Sequence, residues 1–188
     1  MPRKSDVLTT PDLVVLNYLS NKPMHGYQLN LLLEEHEVKD WAGISRPQVY
    51  YSLKKLQVAR LIRPASDKTD PGGPERQVYQ VTDAGTKAFV QALGREEWAT
   101  QRPPPPFLTW MALATNAKRD VLRRVVMKRR AFLVQEISRE QETLKSFDQE
   151  RPSVLTKTAK LMVRLTIKQF EVELAWLSEV EILYEVST

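Results

Sequence analysis

The chain has 188 residues, of which 42% are hydrophobic and 27% charged, with a formal net charge of +5 and a pI of about 9.4. This length suits one domain with an appendage or two small domains, and the composition excludes a wholly disordered chain. No apolar run approaches the roughly 20 residues of a membrane-spanning helix. The absence of cysteine excludes disulfides, thiolate metal sites and cysteine nucleophiles.

The net charge of the chain and its N-terminal residues give first indications of its binding partners and its cellular location. The positive surplus permits attraction to nucleic acid, although many basic proteins bind none. The apolar stretch near the N-terminus is broken by Thr9, Thr10, Pro11 and Asp12, so we expect no secretory signal. A cytoplasmic location, with no membrane partner, is the default expectation.

Two short helices are predicted before residue 40. Thr10 is expected to cap the first, over residues 10–20, with Pro11 at its first position. A second apolar-periodic stretch covers residues 25–36. Residues 40–44 are then expected to form a loop that leads to a third helix.

The third helix begins sharply at Ser45, a favourable N-cap residue, and has Pro47 in its first turn. An apolar stripe at helical spacing indicates its core side, namely Val49, Leu53 and Leu56. Its other faces carry groups that can reach phosphates and base edges: Arg46, Gln48, Tyr50, Tyr51, Ser52, Lys54 and Lys55. The pattern predicts a DNA recognition helix.

Two extended stretches follow, at residues 60–65 and 76–82, separated by a Pro- and Gly-rich segment at residues 70–74 that suits a hairpin tip. Thr82 is then expected to cap a helix that continues to about Trp98. Three helices followed by a hairpin predict a winged helix-turn-helix with a two-stranded wing.

Consecutive prolines within residues 101–106 cannot continue a helix. We interpret them as a passive spacer; a proline-rich recognition motif is the alternative. They predict three parts: a DNA-binding domain (1–99), a linker (100–106) and a helical domain (107–188). The expected fold is mainly α, a winged helix-turn-helix followed by an all-helical dimerisation domain.

The last predicted helix has two apolar stripes on nearly opposite sides and therefore needs two packing partners. A small helical domain can cover one stripe, and a second subunit would cover the other. This predicts a homodimer through residues on the two stripes: Leu161, Leu165, Ile167, Phe170, Val172, Leu174, Trp176 and Leu177.

Three segments, His25-Gly26-Tyr27, residues 45–56 (SRPQVYYSLKKL) and residues 76–85 (RQVYQVTDAG), together resemble the PadR family of bacterial transcriptional regulators. The second half, from Pro106-Phe107-Leu108 to Ala175-Trp176-Leu177, resembles the virulence-activator-like branch of that family. The resemblance implies a dimeric winged-helix protein on a roughly palindromic operator, usually a repressor, sometimes with a small effector. The sequence departs from the family in one place: members commonly carry the motif Leu-Glu-x-x-Gly-Leu-Ile after the third helix. Here Gln57 and Arg60 replace the acidic residue and the glycine.

Several side chains have alternative interpretations. Arg46 suits a phosphate or a guanine edge, whereas Gln48 suits either a base contact or a capping box with Ser45. The family motif implies phosphate contacts for Tyr27 and Tyr50, and Tyr51 could act likewise. The remaining candidate DNA contacts are Ser45 at the start of the helix, Lys54 and Lys55 late in it, and Lys68 and Arg76 beside the wing tip.

Aromatic and sulfur-containing side chains could line a pocket for a small aromatic effector; ordinary core packing is the alternative. They are Trp98, Phe107, Trp110, Met111, Phe170 and Trp176. The basic residues between Lys118 and Arg130 are interpreted as a solvated helix face. No nucleophile turn, phosphate loop or metal-ligand spacing is present, so neither an enzyme nor a cofactor is predicted. The main rival to DNA binding is a helical protein–protein adaptor whose winged helix reads no DNA.

Overall fold

The structure is a computed structural model that describes residues 7–65, 77–101 and 105–185. The chain divides into two compact units, residues 1–101 and 102–188. This division falls inside the proline-rich segment predicted as a linker. Each unit is described by itself below.

The first unit combines helices with a small sheet. Its elements in chain order are α1 (Thr10–Asn21), β1 (Met24–His25), α2 (Gly26–Glu35), α3 (Val38–Ala42), α4 (Arg46–Val58), β2 (Ile62–Pro64), β3 (Val78–Val81), α5 (Asp83–Leu93) and α6 (Glu97–Thr100). The predicted winged helix-turn-helix is confirmed, with α4 as its third main helix.

The cap of α1 lies one residue earlier than predicted. Thr9, and not Thr10, has the extended backbone of an N-cap. Its amide and its hydroxyl both donate hydrogen bonds of 2.8 Å to Asp12 Oδ2. Asp12 stands three residues after Thr9, which is the capping-box spacing, and this spacing selects Thr9.

The predicted loop before α4 contains the short helix α3. Glu37 at its start and Gly43 at its end both adopt left-handed backbone conformations, with φ of 48° and 64°. Val38 anchors α3 in the core with its side chain fully buried. So short a helix shows no usable hydrophobic periodicity, which is why the sequence pattern suggested a loop.

The sheet has three strands, in the order β1-β3-β2, where the sequence predicted a two-stranded wing. The β2–β3 hairpin is as expected, although both strands are shorter than predicted. The additional strand β1 pairs antiparallel with β3, placing Met24 opposite Tyr79. A two-residue strand has no alternation to detect, so only this long-range pairing reveals it. The hairpin tip, residues 66–76, lies outside the described residues.

A glycine fixes the approach of α5 to the start of the wing. Thr82 caps α5 by accepting a hydrogen bond from the Gly85 amide, as predicted, and the Thr82 amide donates to the Leu61 carbonyl. A Cβ at Gly85 would lie 2.0 Å from the Leu61 carbonyl oxygen, so only glycine fits. The helix ends at Leu93, earlier than predicted, and the separate turn of α6 follows.

The core of the first unit lies between α1, α2, α4 and the sheet. Its buried side chains include Val15, Leu16, Leu29, Val49, Leu53, Leu56, Ile62 and Tyr79. The stripe predicted for the third helix is therefore its core face.

The second unit consists of α7 (Pro106–Leu113), α8 (Arg119–Ser146) and α9 (Val154–Leu183), with short 3-10 turns at Ala114–Asn116 and Phe147–Gln149. Helices α8 and α9 form an antiparallel hairpin. Bidentate ion pairs link Arg129 to Glu173 and Arg130 to Glu181 across it. Part of the predicted solvated basic face is thus used inside the unit. Within the described ranges, no helix is long and apolar enough to cross a membrane.

Candidate nucleic-acid interface

Helix α4 presents the candidate DNA-binding side chains. Its core side is fixed by Val49, Leu53 and Leu56, each no more than 2% exposed. Tyr51 and Lys54 point the other way, and Tyr51 is 70% exposed. Because the inner side is anchored, the opposite side and the first turn are the parts that can enter a groove.

Gln48 forms the capping arrangement that was one of its two sequence interpretations. Its Oε1 accepts a hydrogen bond of 2.8 Å from the Ser45 amide and another of 2.9 Å from the Ser45 hydroxyl. An amide oxygen has two lone pairs, so its accepting capacity is filled. The side chain nevertheless remains exposed at the helix start.

Arg46, at the first position of α4, pairs with Glu34 near the end of α2. Arg46 Nε and Nη2 both lie 2.5 Å from the same carboxylate oxygen, Glu34 Oε1. The two side chains are 64% and 51% exposed, so the guanidinium stays accessible. An open groove of about 430 Å³ between α2, α3 and the start of α4 lies beside this pair.

The tyrosines differ in their surroundings. Tyr27, in the first turn of α2, is 58% exposed. Tyr50 is partly buried and packs against the core, whereas its neighbour Tyr51 is exposed. The phosphate contacts predicted for Tyr27, Tyr50 and Tyr51 remain predictions.

Lys55 has a partner inside the protein, although the sequence suggested a DNA contact. Its Nζ lies 2.6 Å from Oδ2 of Asp12, whose side chain is fully buried. Burial alone would raise the pKa of Asp12, but hydrogen bonds from Lys55, Thr9 and Ser52 outweigh it and lower that pKa below 3.8. The pair therefore fastens the start of α1 to the second half of α4. A partner 43 residues away cannot be recognised from local sequence.

Two other predictions concern the tip of the wing and the turn that leads from α4 into β2. Lys68 and Arg76 lie outside the described residues. Arg60, which replaces the family's usual glycine, has a φ of 58°. The turn after α4 thus contains a left-handed residue, a backbone conformation that suits glycine better than arginine.

The proposed effector-pocket residues fall into two groups. Phe107, Trp110, Met111, Phe170 and Trp176 pack around the buried core of the second unit. Phe107 stacks on Trp110 with ring centroids 5.4 Å apart and meets Trp176 edge-on at 6.3 Å. Trp98 belongs to the first unit, where its indole nitrogen donates to the Ala92 carbonyl at 2.8 Å. The packing accounts for all six side chains, and the effector pocket stays a prediction.

The residues predicted for dimerisation are also divided. Ile167 and Leu177 are buried, at 8% and 0% exposure, and Phe170, Leu174 and Trp176 are partly buried. The other stripe of α9 is open within the unit: Leu161, Leu165 and Val172 are 65%, 58% and 70% exposed. Of the residues predicted for dimerisation, these three are therefore the exposed ones.

Within the described parts of the chain, no group of three His, Cys, Asp or Glu side chains is placed to hold a metal ion.

Residues 15–91 match the model of the family described as "Transcriptional regulator PadR-like family". A comparison with curated protein sequences gives no match.

Solved structures share the fold at low sequence identity. The crystal structure of Bacillus subtilis PadR in complex with p-coumaric acid is 16% identical, with a TM-score of 0.71 over 94% of this chain and 99% of that chain. The same protein in complex with operator DNA gives 0.68 over the same shares, also at 16% identity. The Vibrio cholerae virulence activator AphA gives 0.65 at 19% identity, over 92% of this chain and 95% of that one. The resemblance predicted from the sequence is confirmed: residues 15–91 are similar to the PadR-like family of transcriptional regulators, and the solved PadR-like structures share the fold.

Proposed function

We propose that this protein is a sequence-specific DNA-binding regulator that acts as a homodimer on a roughly palindromic operator and represses transcription in the cytoplasm. One observation carries the proposal. Helix α4 is anchored by its buried stripe, and its first turn and outer face expose Arg46, Tyr51 and Lys54. Such a helix suits the major groove, with the β2–β3 wing alongside. A complex of Bacillus subtilis PadR with operator DNA supports this assignment by analogy of fold.

Homodimerisation is proposed through the open stripe of α9. Leu161, Leu165 and Val172 recur on one side of a 30-residue helix and have no apolar cover within the unit. A second copy of the same helix would cover them, and a two-fold axis would match a palindromic site. Sedimentation at micromolar concentration should give a dimer, and a compact monomer would exclude this arrangement.

A small aromatic effector is proposed for the second unit. The stacked Phe107 and Trp110, with Trp176 edge-on, could receive a planar ring, and Arg129 lies 5.3 Å from the Phe107 ring centre. The related protein bound to p-coumaric acid makes this compound the natural first probe. Titration followed by tryptophan fluorescence should give a saturable change; a flat response to a panel of planar aromatic acids would remove the effector from the proposal.

DNA binding can be tested with duplexes that the purified full-length protein selects from its own genome. We expect Arg46→Ala to weaken binding about 5- to 150-fold for each half-site in which the side chain makes a bidentate base contact. Arg123→Ala, at an exposed arginine of the second unit, serves as the matched control. Affinity should also fall steeply with salt because phosphate contacts release counterions.

Two outcomes would count against this mechanism. Near-wild-type binding by Arg46→Ala combined with Tyr50→Phe would indicate another contact surface. Failure to enrich any genomic fragment would favour the adaptor function, in which the winged helix binds protein partners. Repression is tested separately, because loss of the protein should raise transcription next to the selected fragments.

A further inference from the structure

The first turn of α4 presents hydrogen-bond donors, and the side-chain oxygen of Gln48 in that turn is already occupied. The Oε1 atom of Gln48 accepts from both the amide and the hydroxyl of Ser45. Within the described residues, its Nε2 has no hydrogen-bond partner, so two N–H groups remain. With its oxygen occupied, Gln48 cannot form the bidentate pair with adenine, which needs one donor and one acceptor.

Arg46 is held in a way that leaves one edge of its guanidinium open. Glu34 Oε1 accepts from the edge of the guanidinium formed by Nε and Nη2, and it lies 2.5 Å from each of these nitrogens. Of the five guanidinium N–H groups, those of Nη1 and the outer one of Nη2 point away from this carboxylate. They form the end-on fork that can bind two adjacent acceptors, and Glu34 limits the orientations that the fork can adopt.

These two side chains together define the base edge that fits. In the major groove, guanine presents two adjacent acceptors, N7 and O6, whereas adenine presents a donor beside N7 and cytosine presents a donor. Thymine offers one acceptor beside a methyl group. The Arg46 fork and the Gln48 Nε2 group are both donors, and together they are most complementary to guanine.

We infer that the start of α4 reads a guanine in each operator half-site, with Arg46 as the contact and Glu34 as the residue that positions it. This inference rests on the proposed DNA-binding function. Holding a long side chain in its bound orientation reduces the entropy lost on binding. Glu34 therefore sharpens the preference for guanine through Arg46, without touching the DNA itself.

The experiment is selection of binding sites from a randomised duplex pool by full-length wild-type protein, Arg46→Ala, Glu34→Gln and Glu35→Gln. The Glu35 variant is the matched control, since it removes the same charge from the adjacent exposed position of α2. We expect the wild type to select guanine at one position per half-site and Arg46→Ala to lose the preference there. Glu34→Gln should reduce that preference about two- to five-fold, and Glu35→Gln should keep it.

Base analogues at that position test the contact atom by atom. Replacing guanine by 7-deazaguanine removes N7 and should weaken binding by wild-type protein, whereas inosine keeps N7 and O6 and should bind like guanine. Arg46→Ala should not distinguish the three bases.

The outcomes separate this inference from the proposed function. Enrichment of adenine, thymine or cytosine at the Arg46-dependent position would overturn the reading of guanine. Identical behaviour of the Glu34 and Glu35 variants would overturn the positioning role. By contrast, a pool that is not enriched, or a motif that Arg46→Ala leaves unchanged, would contradict recognition of DNA by this part of α4.

Discussion

The ion pair between Lys55 and Asp12 leads to a prediction about stability that differs from the role suggested by sequence. In Lys55→Met, the Asp12 carboxylate would remain fully buried and would keep only its contacts with Thr9 and Ser52. Removing one partner of a buried pair costs about 3–5 kcal/mol. Because Lys55 itself is 25% exposed and its charge is partly screened by water, we expect a smaller loss, about 2–3 kcal/mol.

For a unit of about 100 residues, such a loss corresponds to a decrease in melting temperature of roughly 10–20 °C. Thermal unfolding followed by circular dichroism would measure it, and hydrogen exchange of the α1 amides would locate it. Lys54→Met is the matched control, since Lys54 is exposed on the same helix. Asp12→Asn combined with Lys55→Met should be more stable than Lys55→Met alone, because the unpaired buried charge is removed.

The salt dependence of DNA binding provides a second test of the different roles of Lys54 and Lys55. Well below the melting temperature, Lys54→Met should reduce the slope of log affinity against log salt by about 0.9 for each subunit, and so by about 1.8 for a homodimer that loses one phosphate contact in each half-site. Lys55→Met should leave that slope unchanged. If Lys55→Met melted like Lys54→Met and lost the same salt dependence, Lys55 would be a DNA contact and the structural interpretation would be refuted.

Three further predictions concern pH, a turn and the dimer. The folded-state pKa of Asp12 lies below its ordinary value, so the ionised carboxylate should stabilise the fold above about pH 3.8 and lose this effect as pH falls through the lower folded pKa. The stability of Asp12→Asn should therefore fall less steeply with decreasing pH than that of the wild type. Equal pH dependence of the two proteins in acid would contradict this. Arg60→Gly should raise the free energy of unfolding by up to about 1 kcal/mol in urea titrations, because left-handed backbone costs a non-glycine residue about 1–2 kcal/mol, partly offset by the entropy of glycine. Leu165→Glu and Val172→Glu should each shift the sedimentation equilibrium towards monomer while helical content is retained. Ile182→Glu, at an exposed position on another side of α9, is the control and should have a smaller effect.

The features predicted correctly from sequence are those whose cause is local. Ser45 and Thr82 begin helices because each forms a hydrogen bond with the residue three positions later, Gln48 and Gly85 respectively. This spacing can be read directly from the sequence. The apolar stripe at Val49, Leu53 and Leu56 follows from helical periodicity in the same way.

The features that sequence missed have non-local or conformational causes. Strand β1 exists because Met24 lies opposite Tyr79, and helix α3 depends on left-handed residues at Glu37 and Gly43. Lys54 and Lys55 are adjacent and chemically identical, yet one faces solvent and the other reaches Asp12. Only the packing of α1 against α4 makes this distinction.

The same packing bears on how α4 can recognise DNA. A helix whose polar side chains were all free could pair with many base edges, because Gln and Arg each offer several geometries. Here Ser45 occupies the acceptor of Gln48, Glu34 holds one edge of Arg46, and Asp12 keeps Lys55 within the protein. The contacts that remain are fewer, and those that Arg46 and Gln48 can still make are all as donors. Recognition by α4 should therefore respond to substitution of these partners, Glu34 above all, as well as to substitution of the groups that touch the bases.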